Sequence, residues 1–232
     1  MEIINIVYLL ISVAIGAVIV EIFKPTNSKN IKLLLIFSGA FLFAVSVIHL
    51  IPELFHHHPK DSIGIFILLG FLIQILLEFF SKGIEHGHFH KQKIIPFSVM
   101  LSLCLHALIE GVPLGGELVH NHSAHNALLT GILLHKAPVS IVLLSLFLQS
   151  GMNRTRAYFF LFLFALMTPL GLYSGHLFSQ MAIYSNEIMA IVIGIFLHIS
   201  TTILFESSED HKFSLYKISV IIVGAIFAIF SI

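Results

Sequence analysis

Two apolar stretches of the sequence carry ionisable side chains at spacings that suit a metal ion. In SLCLHALIEG, His106 and Glu110 are four residues apart, so on an α-helix both side chains lie on one face, one turn apart. In GILLHKAPVS, His135 and Lys136 lie inside an apolar run. Two imidazoles and a carboxylate suit borderline divalent ions such as Zn²⁺. The residues therefore predict a metal site formed by His106, Glu110 and His135.

Both stretches should weaken as helices just after their polar groups. Glu110 is followed by Gly111 and Pro113, and His135 is followed three residues later by Pro138. Proline cannot donate a backbone hydrogen bond and clashes with the preceding turn, so we expect a kink beside His135. Helices broken at membrane depth usually line a cavity.

The composition indicates a polytopic, all-α membrane protein. The chain has 232 residues, of which 57% are hydrophobic and only 10% charged, and its mean hydropathy is +1.00. Ordinary soluble domains are about 25% charged. The formal net charge of zero argues against a nucleic-acid partner.

The apolar runs predict one transmembrane domain over 1–232. About 20 apolar residues cross the hydrocarbon core as a helix. Eight runs approach or exceed that length, at 3–23, 31–55, 63–80, 96–119, 126–149, 157–178, 187–205 and 213–232. Short connections join them, including a His-rich loop at 81–93 and a second His-bearing loop with His120, His122 and His125.

The distribution of Lys and Arg predicts the orientation. Connections after spans one, three, five and seven, with the adjoining span ends, hold ten basic residues, whereas the other side holds only Lys60. Cytoplasmic loops carry such an excess, so we expect both termini to be extracytoplasmic. The loop 81–93, with His86, His88 and His90, is then cytoplasmic.

A short internal similarity suggests a repeat. GAFLFAVSVIHLIPE, at 39–53, resembles GIFLHISTTILFESSE, at 194–209, in its Gly-x-Phe-Leu start and acidic end. Spans two and seven would be counterparts in a 3+2+3 arrangement. The two outer units then have opposite topology, as in transporters built from inverted repeats with the binding site between them.

Polar side chains nearer the span ends are weaker candidates. His49 and Glu53, one turn apart near the external end of span two, could collect ions at an entrance or could simply end an interfacial helix. His198 and Glu206 in span seven have the same two interpretations, with Glu206 near a cytoplasmic exit. The loop histidines His86, His88 and His90 could bind metal weakly.

Together these elements resemble the ZIP (zinc/iron-regulated transporter-like) family of divalent metal transporters. The resemblance rests on HALIEGVPLG and LLHKAP in consecutive spans, HLIPE in span two, PLG in span six, the His loop and the eight spans, and it covers essentially the whole chain. It implies a homodimer that moves Zn²⁺ or a related ion into the cytoplasm. It also implies that His106, Glu110 and His135 ligate the metal, between spans four and five.

Four positions depart from that family pattern. Ala107 and Lys136 replace ligands of a second metal site in members that have one, and Val139 replaces a carboxylate of the primary site. Thr168 stands where some members place an acidic residue. We therefore expect one transported metal, with the Lys136 ammonium supplying the charge of the second cation; a snorkelling or interhelical lysine is the open alternative.

Two other functional classes stay open from the sequence alone. A membrane metalloenzyme could use His106 and Glu110 around an activated water, but the sequence has neither HExxH nor the His boxes of a di-iron centre. A metal sensor would use the loops and would need no intramembrane ligands. We expect a transporter rather than an enzyme, without a bound cofactor.

The metal and the membrane follow less directly from the residues. Imidazole and carboxylate accept several divalent ions, so Zn²⁺ is the expected substrate and Fe²⁺, Mn²⁺ and Cd²⁺ are alternatives. The expected partners are the ion, the lipid bilayer and a second copy of the chain. Compact loops and the lack of an organellar presequence favour the plasma membrane, as a bacterial inner membrane.

Overall fold

The computed structural model describes residues 2–23, 28–57, 62–81, 97–115, 122–179, 184–206 and 215–230, and every secondary-structure element in these ranges is helical. The all-α membrane fold is confirmed for this part of the chain. The helices are α1 (Glu2–Phe23), α2 (Ser28–Val45, continued by a π-helical segment Ser46–Leu50 and by Ile51–His57), α3 (Ser62–Ser81), α4 (Phe97–Gly111, with a 3₁₀ turn Val112–Leu114), α5 (His122–Gln149), α6 (Arg154–Ser179), α7 (Ser185–Glu206) and α8 (Leu215–Phe230).

The helices from α1 to α7 are long and apolar enough to cross a membrane. α8 is apolar but shorter, with 16 residues in the described range. Many large apolar side chains on α1, α3 and α8 are exposed on the outside of the bundle. Such a surface suits lipid rather than water.

Contacts between the helices fix their relative directions. α1 and α5 run in parallel, because Asn5 contacts His125 and Ser12 Oγ donates to the carbonyl of Leu133 further along both helices. α4 with α6 and α3 with α7 are also parallel, whereas α4 runs antiparallel to α3. Because Glu21, near the end of α1, contacts Arg154 at the start of α6, α1 and α5 run antiparallel to α6 and therefore to α4. Helices α1, α3, α5 and α7 therefore end together, where α4 and α6 begin. We name this the basic end, because the connections rich in Lys and Arg leave from it.

The packing pattern follows a three-two-three division. The most extensive contacts join α3 to α7, α2 to α8, α4 to α6 and α1 to α5. If α1–α3 are exchanged with α6–α8 and α4 is exchanged with α5, the α3–α7 contact becomes the α8–α2 contact. The same exchange turns the α4–α6 contact into the α5–α1 contact. The contacts of α2 with α7 and of α1 with α6 map onto themselves. These contacts support an inverted repeat in which α2 and α7 are counterparts, but the extensive contact of α2 with α5 has no comparable counterpart between α7 and α4 among the described residues.

Glycines bring α4 and α6 into backbone contact. A Cβ on Gly111 would lie 2.2 Å from a carbonyl oxygen of α6, and one on Gly171 would lie 2.0 Å from a carbonyl oxygen of α4. Gly115 and Gly175 repeat this arrangement one turn further on. Small residues allow helix backbones to approach closely within a membrane. α6 therefore braces the end of α4 that carries the candidate ligands.

Two expectations about the helix ends were wrong. His122 and His125 do not belong to a loop, because α5 begins at His122. A polar sequence does not prevent helix formation when a neighbouring helix supplies a partner, and here the Asn5 amide lies 3.1 Å from the His125 ring. α4 ends earlier than predicted, in the 3₁₀ turn that contains Pro113. Pro138 lies inside α5, which continues through it to Gln149.

Candidate metal centre

Four ionisable side chains meet where α4 contacts α5. α4 presents His106 and Glu110 from successive turns of one face, and α5 presents His135 and Lys136. At most 3% of each of these residues is exposed. Ionisable side chains are expensive at this depth of a membrane-spanning helix, and they mark functional sites by default.

The three predicted ligands are close enough to share one ion. Ligand atoms from His106, Glu110 and His135 all lie within 4.8 Å of one another. His106 Nε2 is 2.8 Å from Glu110 Oε1, and the two imidazole centroids are 6.3 Å apart. Zn²⁺ binds such atoms at about 2.0–2.2 Å, which places ligand atoms about 3.4 Å apart in a tetrahedron. Small side-chain movements would therefore complete the site. Among the described residues, this is the one group of three or more potential ligands.

Lys136 places a cation beside this group. Its Nζ lies 3.5 Å from Glu110 Oε2 and 4.6 Å from the centroid of the Phe164 ring, on α6. The two oxygens of Glu110 therefore face different neighbours, with Oε1 toward His106 and Oε2 toward the ammonium. One oxygen can ligate a metal while the other keeps its contact with Lys136.

Gln74 of α3 orients His106 from the side away from the ligands. Gln74 is fully buried, and its Oε1 lies 3.1 Å from His106 Nδ1. When Nδ1 donates to this oxygen, Nε2 faces the centre as a metal ligand. The sequence analysis missed Gln74. The available signal was an amide inside an otherwise apolar span, four residues before a carboxylate.

Sequence comparison identifies the family. Residues 84–231, more than half of the chain, match the family model described as "ZIP Zinc transporter". The chain belongs to the ZIP zinc transporter family. Given this membership and the apolar helices, it is an integral membrane protein.

The chain aligns with only part of the length of its ZIP relatives. Zinc transporter ZIP9-B of Xenopus laevis is 29% identical over 126 residues, which are 50% of this chain and 41% of that protein. Zinc transporter ZIP9 of Micropogonias undulatus is 28% identical over 125 residues, 49% of this chain and 40% of that protein. The chain therefore spans about two fifths of the length of these relatives.

Three departures from the ZIP pattern contribute no ligand to the centre. Ala107 and Val139 are buried apolar side chains. Thr168 Oγ1 donates to the carbonyl of Ala107 at 2.8 Å, so this hydroxyl fastens α6 to α4. The candidate metal ligands that the structure brings together come from α4 and α5.

His49 and Glu53 lie on α2, outside the three-ligand group. His49 belongs to the π-helical segment, a departure from regular helix that is frequent at functional sites. Its Nε2 has no hydrogen-bond partner within the described ranges. Glu53 follows one turn later, toward the end of the bundle opposite the basic end.

His198 contacts a carboxylate that the sequence analysis missed. His198 Nε2 lies 2.5 Å from Glu78 Oε2, across the interface of α7 and α3. α7 ends at Glu206. The side chain of Glu206 lies outside the described part of the chain, as do His86, His88 and His90.

Proposed function

We propose that this ZIP protein transports a divalent metal ion, Zn²⁺ by preference, and binds it between α4 and α5. The observation that carries the proposal is the buried set of two imidazoles and one carboxylate whose ligand atoms lie within 4.8 Å. This ligand set suits Zn²⁺, with water completing the coordination. Its place within the membrane-spanning helices suits an ion in transit.

Ion binding at this site displaces a proton. With His106 Nδ1 donating to Gln74, a proton on His106 Nε2 would lie beside Glu110 Oε1, which is 2.8 Å from that nitrogen. A metal bound to both atoms takes the place of that proton. We therefore expect metal binding to weaken, and uptake to slow, as the pH falls.

Lys136 limits the site to one metal and aids release. Its ammonium neutralises Glu110 at 3.5 Å and stands where a second cation would sit. The ammonium and the metal share the negative charge of one carboxylate and repel each other, so the bound ion is held less tightly than three ligands alone would hold it. A transported ion must leave its site, and this repulsion shortens its stay.

The inverted repeat supplies a means of alternating access. The parallel pairs α4–α6 and α1–α5 each join a central helix to an outer unit. Movement of one outer unit relative to the other would expose the centre first to one side and then to the other. We propose that the basic end faces the cytoplasm, that both termini lie outside, and that transport is inward.

Other residues have roles only under this proposal. His49 and Glu53 would receive the ion at the outer entrance, and His198 and Glu206 would lie on its way out. The loop histidines His86, His88 and His90 would bind metal weakly in the cytoplasm. From the resemblance to the ZIP family we propose that the protein is a homodimer. From its compact loops we propose that it lies in a plasma membrane, that of a bacterium.

Uptake of Zn²⁺ into proteoliposomes that contain the purified protein tests the function. We expect saturable uptake that Glu110→Ala abolishes. The matched control is Glu21→Ala, which also removes a carboxylate that joins two helices and should keep uptake. Absent uptake by a folded wild-type protein, or uptake that survives Glu110→Ala, would contradict the proposal and favour the enzyme or sensor.

A further inference from the structure

A second His–carboxylate pair lies on the basic-end side of the metal centre. Glu78 is 18% exposed and His198 11% exposed at their side chains, and the two groups meet between α3 and α7. Phe71 packs edge-on against the imidazole, with 4.8 Å between centroids. A carboxylate among apolar residues of a spanning helix is costly and needs an explanation.

Gln74 connects this pair to the metal centre. Gln74 and Glu78 are one turn apart on α3, which corresponds to a rise of about 6 Å toward the basic end. Gln74 contacts His106, and Glu78 contacts His198. Polar side chains therefore follow one another from Glu110 through His106 and Gln74 to the second pair. These steps lead toward the end that we assign to the cytoplasm.

The close packing of α3 and α7 holds the two groups opposite each other. A Cβ on Gly70 would lie 1.9 Å from the carbonyl oxygen of Ile191, and one on Gly194 would lie 2.0 Å from that of Ile67. Gly194 precedes His198 by one turn. The backbones therefore touch beside the pair, so an imidazole and a carboxylate remain within reach of one ion.

We propose that Glu78 and His198 form a second binding site for the same divalent cation, which the ion occupies after leaving Glu110 and before reaching the cytoplasm. This inference rests on the proposed transport function. One imidazole nitrogen and one carboxylate oxygen suit Zn²⁺ as the central site does, with water completing the shell. Two protein ligands instead of three make binding weaker, as release at the end of a pathway requires.

The competing explanation is a hydrogen bond that only fastens α3 to α7. Glu78→Gln separates the two explanations, because an amide oxygen still accepts a hydrogen bond from His198 but is a poor ligand for Zn²⁺. A hydrogen bond that only joins the two helices should survive this change. A cation site should not.

The test combines Zn²⁺ binding to the purified full chain, by equilibrium dialysis at saturating Zn²⁺, with uptake into proteoliposomes. We expect Glu78→Gln and His198→Ala each to bind one Zn²⁺ fewer per chain than wild type. Their maximal uptake rate should fall at least fivefold, while KM for external Zn²⁺ changes less than threefold.

Matched controls are Glu21→Gln, another interhelical carboxylate, and His125→Ala, another interhelical imidazole. Both should bind and transport as wild type does. An unchanged Zn²⁺ count in Glu78→Gln and His198→Ala overturns the proposal, whether or not uptake slows. Failure of the transport function itself would appear separately, as absent uptake by the wild-type protein or as uptake that survives Glu110→Ala.

Discussion

The pairs Glu21–Arg154 and Glu110–Lys136 each join two helices, and the pair with the better hydrogen-bond geometry is the one nearer the surface. Glu21 accepts hydrogen bonds from Arg154 Nη1 at 2.8 and 2.9 Å and one from the Tyr158 hydroxyl, at the basic end. Glu110 lies 3.5 Å from Lys136 inside the bundle. The side chains of Arg154 and Glu21 are 65% and 35% exposed, whereas those of Lys136 and Glu110 are 1% exposed.

Burial and neighbouring side chains, rather than hydrogen-bond geometry, distinguish the pair that we propose to be functional. Water solvates both members of the exposed pair, so their attraction adds little. The buried pair gives up that solvation and recovers it only in part, so a chain without a use for the charges would be better served by apolar residues. The two imidazoles beside Glu110 fit the use that we propose, which is metal binding.

The largest effect should come from His135→Ala, because it removes a ligand on α5 and leaves the charges of Glu110 and Lys136 in place. We expect the affinity for Zn²⁺ to fall more than about 100-fold, beyond the loss typical of outer-shell changes. Isothermal titration calorimetry measures it, with His125→Ala on the same helix as the control. An unchanged affinity for Zn²⁺ would show that the buried Glu110–Lys136 pair, like the exposed Glu21–Arg154 pair, does not belong to a metal site.

A smaller loss should follow Gln74→Leu, which deletes the acceptor that orients His106. We expect Zn²⁺ affinity to fall about 10- to 100-fold. Gln74→Glu keeps an oxygen opposite Nδ1 and should retain most of the affinity. If Gln74→Leu and Gln74→Glu behave alike in the same titration, Gln74 does not act through His106.

Lys136→Met should act in the opposite direction. Removing the ammonium leaves Glu110 free to give its full charge to the metal, so we expect Zn²⁺ to bind about tenfold more tightly, which corresponds to about 1.4 kcal/mol. Melting temperatures with and without saturating Zn²⁺ measure the gain, and uptake should slow because release is slower. Lys136→Arg keeps the positive charge and serves as the control. Weaker binding by Lys136→Met would show that the lysine does not compete with the metal.

Arg154→Ala should have the smallest effect, because the exposed pair is already screened by solvent. We expect uptake within about twofold of wild type and little change in melting temperature. The comparison between the pairs would fail if Arg154→Ala reduced Zn²⁺ affinity as strongly as Gln74→Leu does.

The sequence predicted the parts of the structure that depend on neighbours along the chain. Apolar runs marked the helices, because each must satisfy its own backbone in lipid. The spacing of His106 and Glu110 placed both on one face of α4, and the structure brings them together with His135 and Lys136.

Two contacts between residues that lie far apart along the chain were missed. Gln74 contacts His106 on α4, 32 residues away along the chain, and Glu78 contacts His198 on α7, 120 residues away. No local pattern in the sequence indicates which distant residue a side chain will contact. The start of α5 was also misplaced, because polarity suggested a loop where Asn5 of α1 instead supplies a partner for His125.

Anomalous scattering from crystals grown with Zn²⁺ tests the central claim most directly. One fully occupied Zn²⁺ bound by His106, Glu110 and His135, with Lys136 still beside the other oxygen of Glu110, is the result we predict. Two metals at full occupancy beside Glu110, or a metal in the bundle that these three residues do not bind, would contradict it.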